Sequence, residues 1–340
     1  MAWNKVKIRL DDGSEADALA PIIVSASRAT DIPAFYADWF FSRLRKGYSA
    51  WTNPFNGVRS FVSYRDVRMI VFWSKNPAPL LPYLEELEKR DIHCGIQFTL
   101  NNYEGEGLEP RLPSLDKRVA TFRQLTEVQG KGKVIWRFDP LVLSDRMDVD
   151  NLLERVRRVG DQLHGYTDKL VFSFADISSY RKVTANLDRE GFPCREFTQA
   201  EMLRFAKGIQ LLNKEWNYEL ATCAEEISLV EAFGIHPNKC VDDDWMIRHF
   251  PADKVLMEHL GVEIIPADLF HPEGALRKTK DNKDKGQRLH CGCVSSKDIG
   301  EYNTCPHLCA YCYANSSKER AMANWDCHLQ HPYSETITGR

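Results

Sequence analysis

Cys305, Cys309 and Cys312 stand in the run "CPHLCAYC", three thiols spaced C-x3-C-x2-C. A loop with these gaps aims three thiolates at one point. It leaves a fourth corner without a cysteine, the position at which an open metal centre takes substrate or cofactor. Two metals suit it. Zinc would use the knuckle-spaced pair Cys309 and Cys312 together with Cys305, with His307 as a fourth ligand. A [4Fe-4S] cluster would be held through three of its irons. The first reading gives a stapled fold and the second a redox centre.

Four further thiols, Cys223 in "ATCAEE", Cys240 in "NKCVDD" and Cys291 with Cys293 in "HCGCV", match the count that fully ligates a tetrahedral zinc or an iron–sulfur cluster. They are far apart in the chain. They read either as a second metal site or as isolated cysteines packed as small hydrophobes. Cys94 reads as core, and Cys194 and Cys327 as lone thiols. Ten cysteines, six of them between Cys291 and Cys327, are distributed as metal ligands are and not as a disulfide framework.

Ligands so placed need a scaffold. Apolar, β-branched or aromatic runs recur along the chain: "PIIVSASR", "MIVFWSKNP", "HCGIQFTLNN", "KVIWRFDPL", "KLVFSFAD" and "YELATCAE". Helical patterns lie between them, among them Pro79 to Lys89, Asp150 to Gln162 and Gln199 to Lys214. Runs that are apolar throughout suit strands covered on both faces, and strand–helix alternation belongs to parallel α/β folds. We expect an α/β chain built on a parallel (βα) TIM-like barrel, complete or partial. Residues 1–276 would form the barrel core, and 277–340 a cysteine-rich C-terminal segment that completes the same barrel. The stretch "RKTKDNKDKGQR" between them reads as a solvated loop able to meet a phosphate or a carboxylate.

In such barrels chemistry gathers where the strands end, because their carboxyl ends converge on one mouth. The polar residues of this chain sit there. Ser25, Ser27, Arg28 and Asp31 follow the first run, Ser74, Lys75 and Asn76 the second, and Thr99, Asn101 and Asn102 the third. Arg137 and Asp139, Ser173 and Asp176, then Cys223, Glu225 and Glu226 follow the rest. Each alone reads as a cap or a loop hydrogen bond, but their repetition marks a mouth.

The chain has 340 residues, 43% hydrophobic and 27% charged, enough to bury a large core. A net charge of -3 and a pI near 6.4 supply no overall basic field for phosphate backbones. The first residues, "MAWNKVKIRLDDGSEADALAP", carry acids where a signal peptide needs an apolar stretch, and no segment reaches the roughly 20 apolar residues that span a bilayer. The expectation is a cytoplasmic protein with no membrane partner.

The cysteine loop resembles the C-x3-C-x-aromatic-C signature of the radical S-adenosylmethionine (SAM) enzymes, with Tyr311 at the aromatic position. The resemblance implies a [4Fe-4S] cluster on Cys305, Cys309 and Cys312, and SAM bound to the fourth iron. It further implies one-electron cleavage of SAM to a 5'-deoxyadenosyl radical, a flavodoxin or ferredoxin as electron donor, and Tyr311 beside the adenine. The strand-end residues then become SAM contacts: Arg28, Arg137 and Lys75 for its carboxylate, and Asp31, Asp139 and Asp176 for its amino group or ribose. Ser25, Ser27 and Asn101 would hold its other polar atoms. Ion pairing among these residues is the alternative for each.

In that superfamily the loop usually follows the first strand, whereas here it comes last. Circular permutation reconciles the two, with "DIGEYNT" as the superfamily's first strand and "PIIVSASR" as its second. "SASRATD" would then stand where the superfamily meets the SAM amino group. Over nearly its whole length the chain is identified as a member of the family domain of unknown function 1848. The carriers are "SASRATDIPAFY", "NPFNG", "FWSKNP", "QFTLNNY", "RFDPL" and "CGCVSSKDIGEYNTCPHLCAYCYAN". Relatives carry a second arginine after Arg28 where this chain has Ala29, so no paired-arginine role transfers. "VFWSKNPAPLLPYL" and "WRFDPL" resemble segments of spore photoproduct lyase and its relatives, radical SAM enzymes that repair a DNA lesion.

The leading expectation is therefore a radical SAM enzyme whose substrate the sequence does not specify. One alternative is repair or modification of nucleic acid by the same chemistry, with Trp39, Trp51, Trp73 and Trp136 either stacking on bases or simply core. The other is a non-catalytic iron–sulfur or zinc-binding protein.

Overall fold

The computed structural model describes residues 3–53, 56–223, 225–265, 275–288 and 290–340. Pro54 and Phe55 of "NPFNG" and Ala224 of "ATCAEE" lie outside them. Six strands form on the six apolar runs: β1 Ile23–Ala26, β2 Met69–Ser74, β3 His93–Thr99, β4 Val134–Leu141, β5 Lys169–Phe174 and β6 Glu219–Thr222. Two short strands, β7 His236–Pro237 and β8 Lys297–Asp298, join them in one eight-stranded sheet.

Every pairing in this sheet is parallel, in the order β7-β6-β5-β4-β3-β2-β1-β8. The last strand of this sheet in chain order therefore lies beside its first, with Lys297 opposite Val24 and Asp298 opposite Ser25. The fold is α/β, but among the described residues the sheet is open and not a closed barrel: β7 and β8 are its edges and do not pair with each other. Each edge strand is two residues long, too short for a closing ladder.

The pleat sorts side chains by period two. Val24, Ile70, Phe72, Ile96, Phe98, Trp136, Phe138, Leu170 and Phe172 point to one face and join the main core with the outer helices. Complete burial of each aliphatic or phenyl group contributes about 1.5–3 kcal/mol. Two of these helices are Val149–Leu163, capped by Asp148, and Gln199–Trp216, which opens with a capping box of Thr198 and Glu201. The pattern over Pro79 to Lys89 yields a 3-10 segment, Ala78–Tyr83, before a short α-helix, Leu84–Lys89. Pro82 inside the segment has no N–H to donate, so a regular helix cannot run through it.

Ile23, Met69 and Val71 point to the opposite face. The helices Asp243–His249 and Lys254–His259 cover it through Trp245, Met246, Leu256 and Met257. Gly95 makes room for Trp245, whose ring would sit 2.7 Å from an added Cβ. Toward the carboxyl ends this same face turns polar, with Ser25, Gln97, Arg137 and Ser173 alternating with apolar neighbours. That change of character fixes where the chemistry can sit.

A separate four-stranded sheet of Asn4–Arg9, Glu15–Ala20, Arg59–Ser63 and Tyr48–Thr52 flanks the carboxyl end through Trp51, whose Nε1 donates to Gly300 O at 3.0 Å. The C-terminal helix Lys318–Gln330 braces the cysteine loop. Its Trp325 packs on Phe35 and Tyr36, Phe35 packs edge-on to His307 at 4.6 Å, and Tyr36 donates to Thr304 O. No helix is long and apolar enough to cross a membrane among the described residues.

Candidate metal centres

Asp31 ties three loops together at the carboxyl end of the sheet. Its Oδ1 accepts from Ala34 N at 3.0 Å, capping a short helix. Its Oδ2 accepts from Lys75 N at 2.7 Å and lies 2.8 Å from His307 Nε2. Asp31 and His307 are both buried, so the loop after β1, the loop after β2 and the cysteine loop share one polar joint. His307 thus has one ring nitrogen engaged, while its buried Nδ1 has no partner.

Next to this joint, Lys75 Nζ meets Glu109 Oε1 at 2.7 Å and donates to the Tyr311 hydroxyl at 2.9 Å. Tyr311 donates in turn to Glu109, and Asn101 Nδ2 donates to Glu109 at 3.2 Å. Burial pushes the Lys75 ammonium toward neutrality, but Glu109 and Cys309 outweigh it and its pKa rises. Burial likewise opposes the Glu109 charge, and Lys75 and Arg118 overcome it, so its pKa falls. The pair is charged on both sides. Glu109 Oε2 is buried and has no hydrogen-bond partner.

The network continues across the sheet. Asn101 Oδ1 accepts from Asp139 N at 2.9 Å, and Asp139 accepts from Ser173 and from Arg137, whose Nε lies at 3.1 Å. Arg137 also donates to Gln97 Oε1 at 3.2 Å. On the other side Asp298 of β8 accepts from Ser25 at 3.0 Å, Ser27 at 2.8 Å and Arg28 N at 2.9 Å. The guanidiniums of Arg28 and Arg137 lie 5.0 and 5.4 Å from the Trp73 ring, whose Nε1 donates to Ser25 at 3.0 Å. Asp176 stands apart at the rim, 3.3 Å from Arg288 at the end of the charged linker.

Cys305, Cys309 and Cys312 face this network. Burial raises all three thiols, Cys305 to about 12 and Cys309 well above its usual value. The thiols also feel one another: a charge on Cys312 raises Cys305, and charges on Cys305 and Cys312 raise Cys309. Backbone N–H groups of Asn315 and Ala314 at Cys312, and of His307 and Asp31 at Cys305, pull the other way. Such donors and the Lys75 charge favour thiolates, and a bound cation is what would complete that balance.

Of the four remaining candidate ligands, Cys223 and Cys240 bring their sulfurs to 3.5 Å, and Cys293 and Cys291 lie near enough to act on that pair electrostatically. Arg137 Nη1 and Asn238 Nδ2 each donate to Cys240 Sγ at 3.2 Å. The backbone N–H groups of Cys240 and Val241 donate to Cys293 Sγ at 3.2 and 3.4 Å. Burial opposes the Arg28 charge, Cys293 and Asp298 outweigh it so that its pKa rises, and its buried Nη2 has no hydrogen-bond partner. Cys94 sits in the main core away from both groups, and Cys194 packs at its edge. A third cluster, Asp242, Asp243 and Asp244, is already countered by Lys239 at 2.8 and 2.6 Å from the latter two.

Three participants were not singled out in the sequence. Gln97 sits within an apolar strand, Glu109 in a loop of glycines and acids, and Asp298 in the two-residue β8. A period-two count would have placed Gln97 on the face of Arg137, but nothing local marks Glu109.

Beside the cysteine loop lies a cleft of about 950 Å³. Among the described residues, Arg59, Arg181, Lys182, Arg320 and Arg340 line it with one acidic side chain, Glu301, together with Tyr180, Tyr302 and Tyr313. The volume suits a nucleotide-sized ligand.

No curated protein and no solved structure matches the chain significantly. Residues 23–314 match the family described as domain of unknown function 1848, and the chain belongs to that family.

Proposed function

We propose that this member of the domain of unknown function 1848 family is a radical SAM enzyme, with Cys305, Cys309 and Cys312 as the ligands of its [4Fe-4S] cluster. One observation carries the reading. The cysteine loop follows β8, an edge strand hydrogen-bonded parallel to β1, which is the order that a circularly permuted, partial radical SAM barrel would have.

Bound there, the cluster would supply the electron that cleaves SAM to methionine and a 5'-deoxyadenosyl radical, after reduction by a flavodoxin or ferredoxin.

The chain's own residues would orient the cofactor. Lys75, which acts electrostatically on Cys309 and Cys312, offers an ammonium to the SAM carboxylate. The free Oε2 of Glu109 offers an acceptor to the SAM amino group. Both ends of the amino acid would thus meet a complementary charge in a site largely shielded from water. Asp31 and His307 hold the loop in register with β1 and β2. Asn101 and Tyr311 fix the Lys75–Glu109 pair.

The test is anaerobic reconstitution with iron and sulfide, dithionite reduction, addition of SAM and chromatography for 5'-deoxyadenosine, with Cys309→Ala as control. Product from the wild type alone supports the reading. A colourless zinc protein that leaves SAM intact overturns it.

The cleft favours a second reading of the substrate, a single-stranded nucleic acid or nucleotide acted on by the same chemistry. Its five cations would meet phosphates, and Tyr180, Tyr302 and Tyr313, all exposed, would offer stacking surfaces. Oligonucleotide-stimulated 5'-deoxyadenosine formation would support it, and indifference to oligonucleotides would refute it.

A further inference from the structure

We infer that Cys223, Cys240, Cys291 and Cys293 form a second metal site, a four-thiolate centre that ties together the two free edges of the sheet. The inference goes beyond the radical reading and does not depend on it. The ligand is a thiophilic metal; zinc as one ion and iron as a cluster share this donor set.

The four residues come from both sides of the opening. Cys223 directly follows β6 and Cys240 lies three residues past β7, whereas Cys291 and Cys293 precede β8. No strand pairing joins β7 to β8 among the described residues. Instead, Val294 N donates to Val241 O at 3.0 Å, which brings the segment after β7 against the segment before β8 at the cysteines. A metal there would close by coordination what hydrogen bonding leaves open.

The surroundings supply hydrogen-bond donors that a thiolate would accept. Cys240 accepts from a guanidinium and an amide, and Cys293 accepts from two backbone N–H groups. The buried Arg28 Nη2 and Asn238 Oδ1 lack partners beside the group. Four thiols binding a divalent ion release four protons and leave a net charge of two minus, which the two guanidiniums of Arg28 and Arg137 offset. Four neutral thiols would leave those two buried cations with Asp139 and Asp298 as their nearest carboxylates. Cys223 and Cys240 are in sulfur contact, Cys293 Sγ takes the Cys240 N–H beside them, and no three of the four sulfurs lie within 4.8 Å of one another. Metal entry would gather them by side-chain rotation.

The decisive protein is the full chain carrying Cys305→Ala, Cys309→Ala and Cys312→Ala, which removes the first loop and leaves this group intact. After anaerobic purification its zinc, iron and acid-labile sulfide are measured by mass spectrometry and absorption. We expect about one zinc, or iron with matching sulfide, per chain, falling at least about tenfold when Cys240→Ala and Cys293→Ala are added. Zinc identifies a single ion, and iron with sulfide a cluster. Less than about a tenth of an equivalent of either metal in the triple variant, with its circular dichroism intact, overturns the inference. Chelation should also lower the thermal midpoint of the triple variant, and an unmoved midpoint would refute the seam. Neither readout involves SAM, so failure here and failure of the radical reading are separable.

Discussion

Glu109→Gln removes the charge opposite Lys75 while keeping the shape of the side chain. Glu109 is 3% exposed and Lys75 17%, and the pair meets at 2.7 Å. Breaking a buried pair on one side strands the other charge, at a cost of about 3–5 kcal/mol. Unfolding entropy near 2.1 cal/mol/K per residue gives about 0.7 kcal/mol/K for 340 residues, so the thermal midpoint should fall by roughly 4–7 °C. Lys75→Met added to Glu109→Gln should restore much of the loss, because no uncompensated charge then remains. Scanning calorimetry of the wild type, both single variants and the double variant is the assay. A fall of under about 1 °C, or additive losses in the double variant, would refute a buried charge pair. The pH dependence has a definite sign. Glu109 is lowered, so its stabilisation is full above the pKa of an unfolded glutamate and is lost as pH falls through the folded value. Lys75 is raised, so its share is full below the unfolded lysine value and is lost as pH climbs through the folded one.

Gly300→Ala would place a Cβ 1.9 Å from Ser27 Oγ and 3.2 Å from Thr30 Cγ2, so the joint between β8 and the loop after β1 must shift. We expect a loss of about 1–3 kcal/mol in denaturant melts and a neutral Gly105→Ala control, whose Cβ would meet nothing within 4 Å; equal stabilities would contradict the packing described. Lys297 is pushed down to about 8 by burial, against a weaker opposing pull from Asp298. The folded state prefers it neutral, so its penalty is full below about 8 and is relieved as pH rises toward the unfolded lysine value. Lys297→Met should therefore stabilise at pH 7, with a gain that shrinks by pH 10; a pH-independent gain would show that Lys297 titrates normally. If nucleic acid enters the cleft, Arg181→Ala with Lys182→Ala should lower the slope of log affinity against log salt by about 1.4, measured by anisotropy with a single-stranded oligonucleotide, and an unchanged slope would remove these residues from the contact.

Six strands were legible in the sequence because each is covered on both faces and so must be apolar along its length, as "MIVFWS" and "KLVFSF" are. The strand-end polar residues and both cysteine groups were legible too, since thiols, carboxylates and guanidiniums at loop starts have few structural uses in such numbers. The edge strands β7 and β8 were harder to place, being two residues each and defined by their neighbour and not by propensity. Nor could spacing reveal that Lys75 takes Glu109, because that pairing follows from which loops the parallel order brings side by side, whereas Arg137 and Asp139 stand two apart on β4, within reach of a period-two count. The sequence by itself determined the chemistry on offer: three thiols on one loop and four dispersed. Tertiary structure alone decided which of the dispersed four are neighbours. Cys240 and Cys293 are separated by 53 positions in the chain, yet the Cys240 N–H reaches Cys293 Sγ at 3.2 Å, because the segment after β7 lies against the segment before β8.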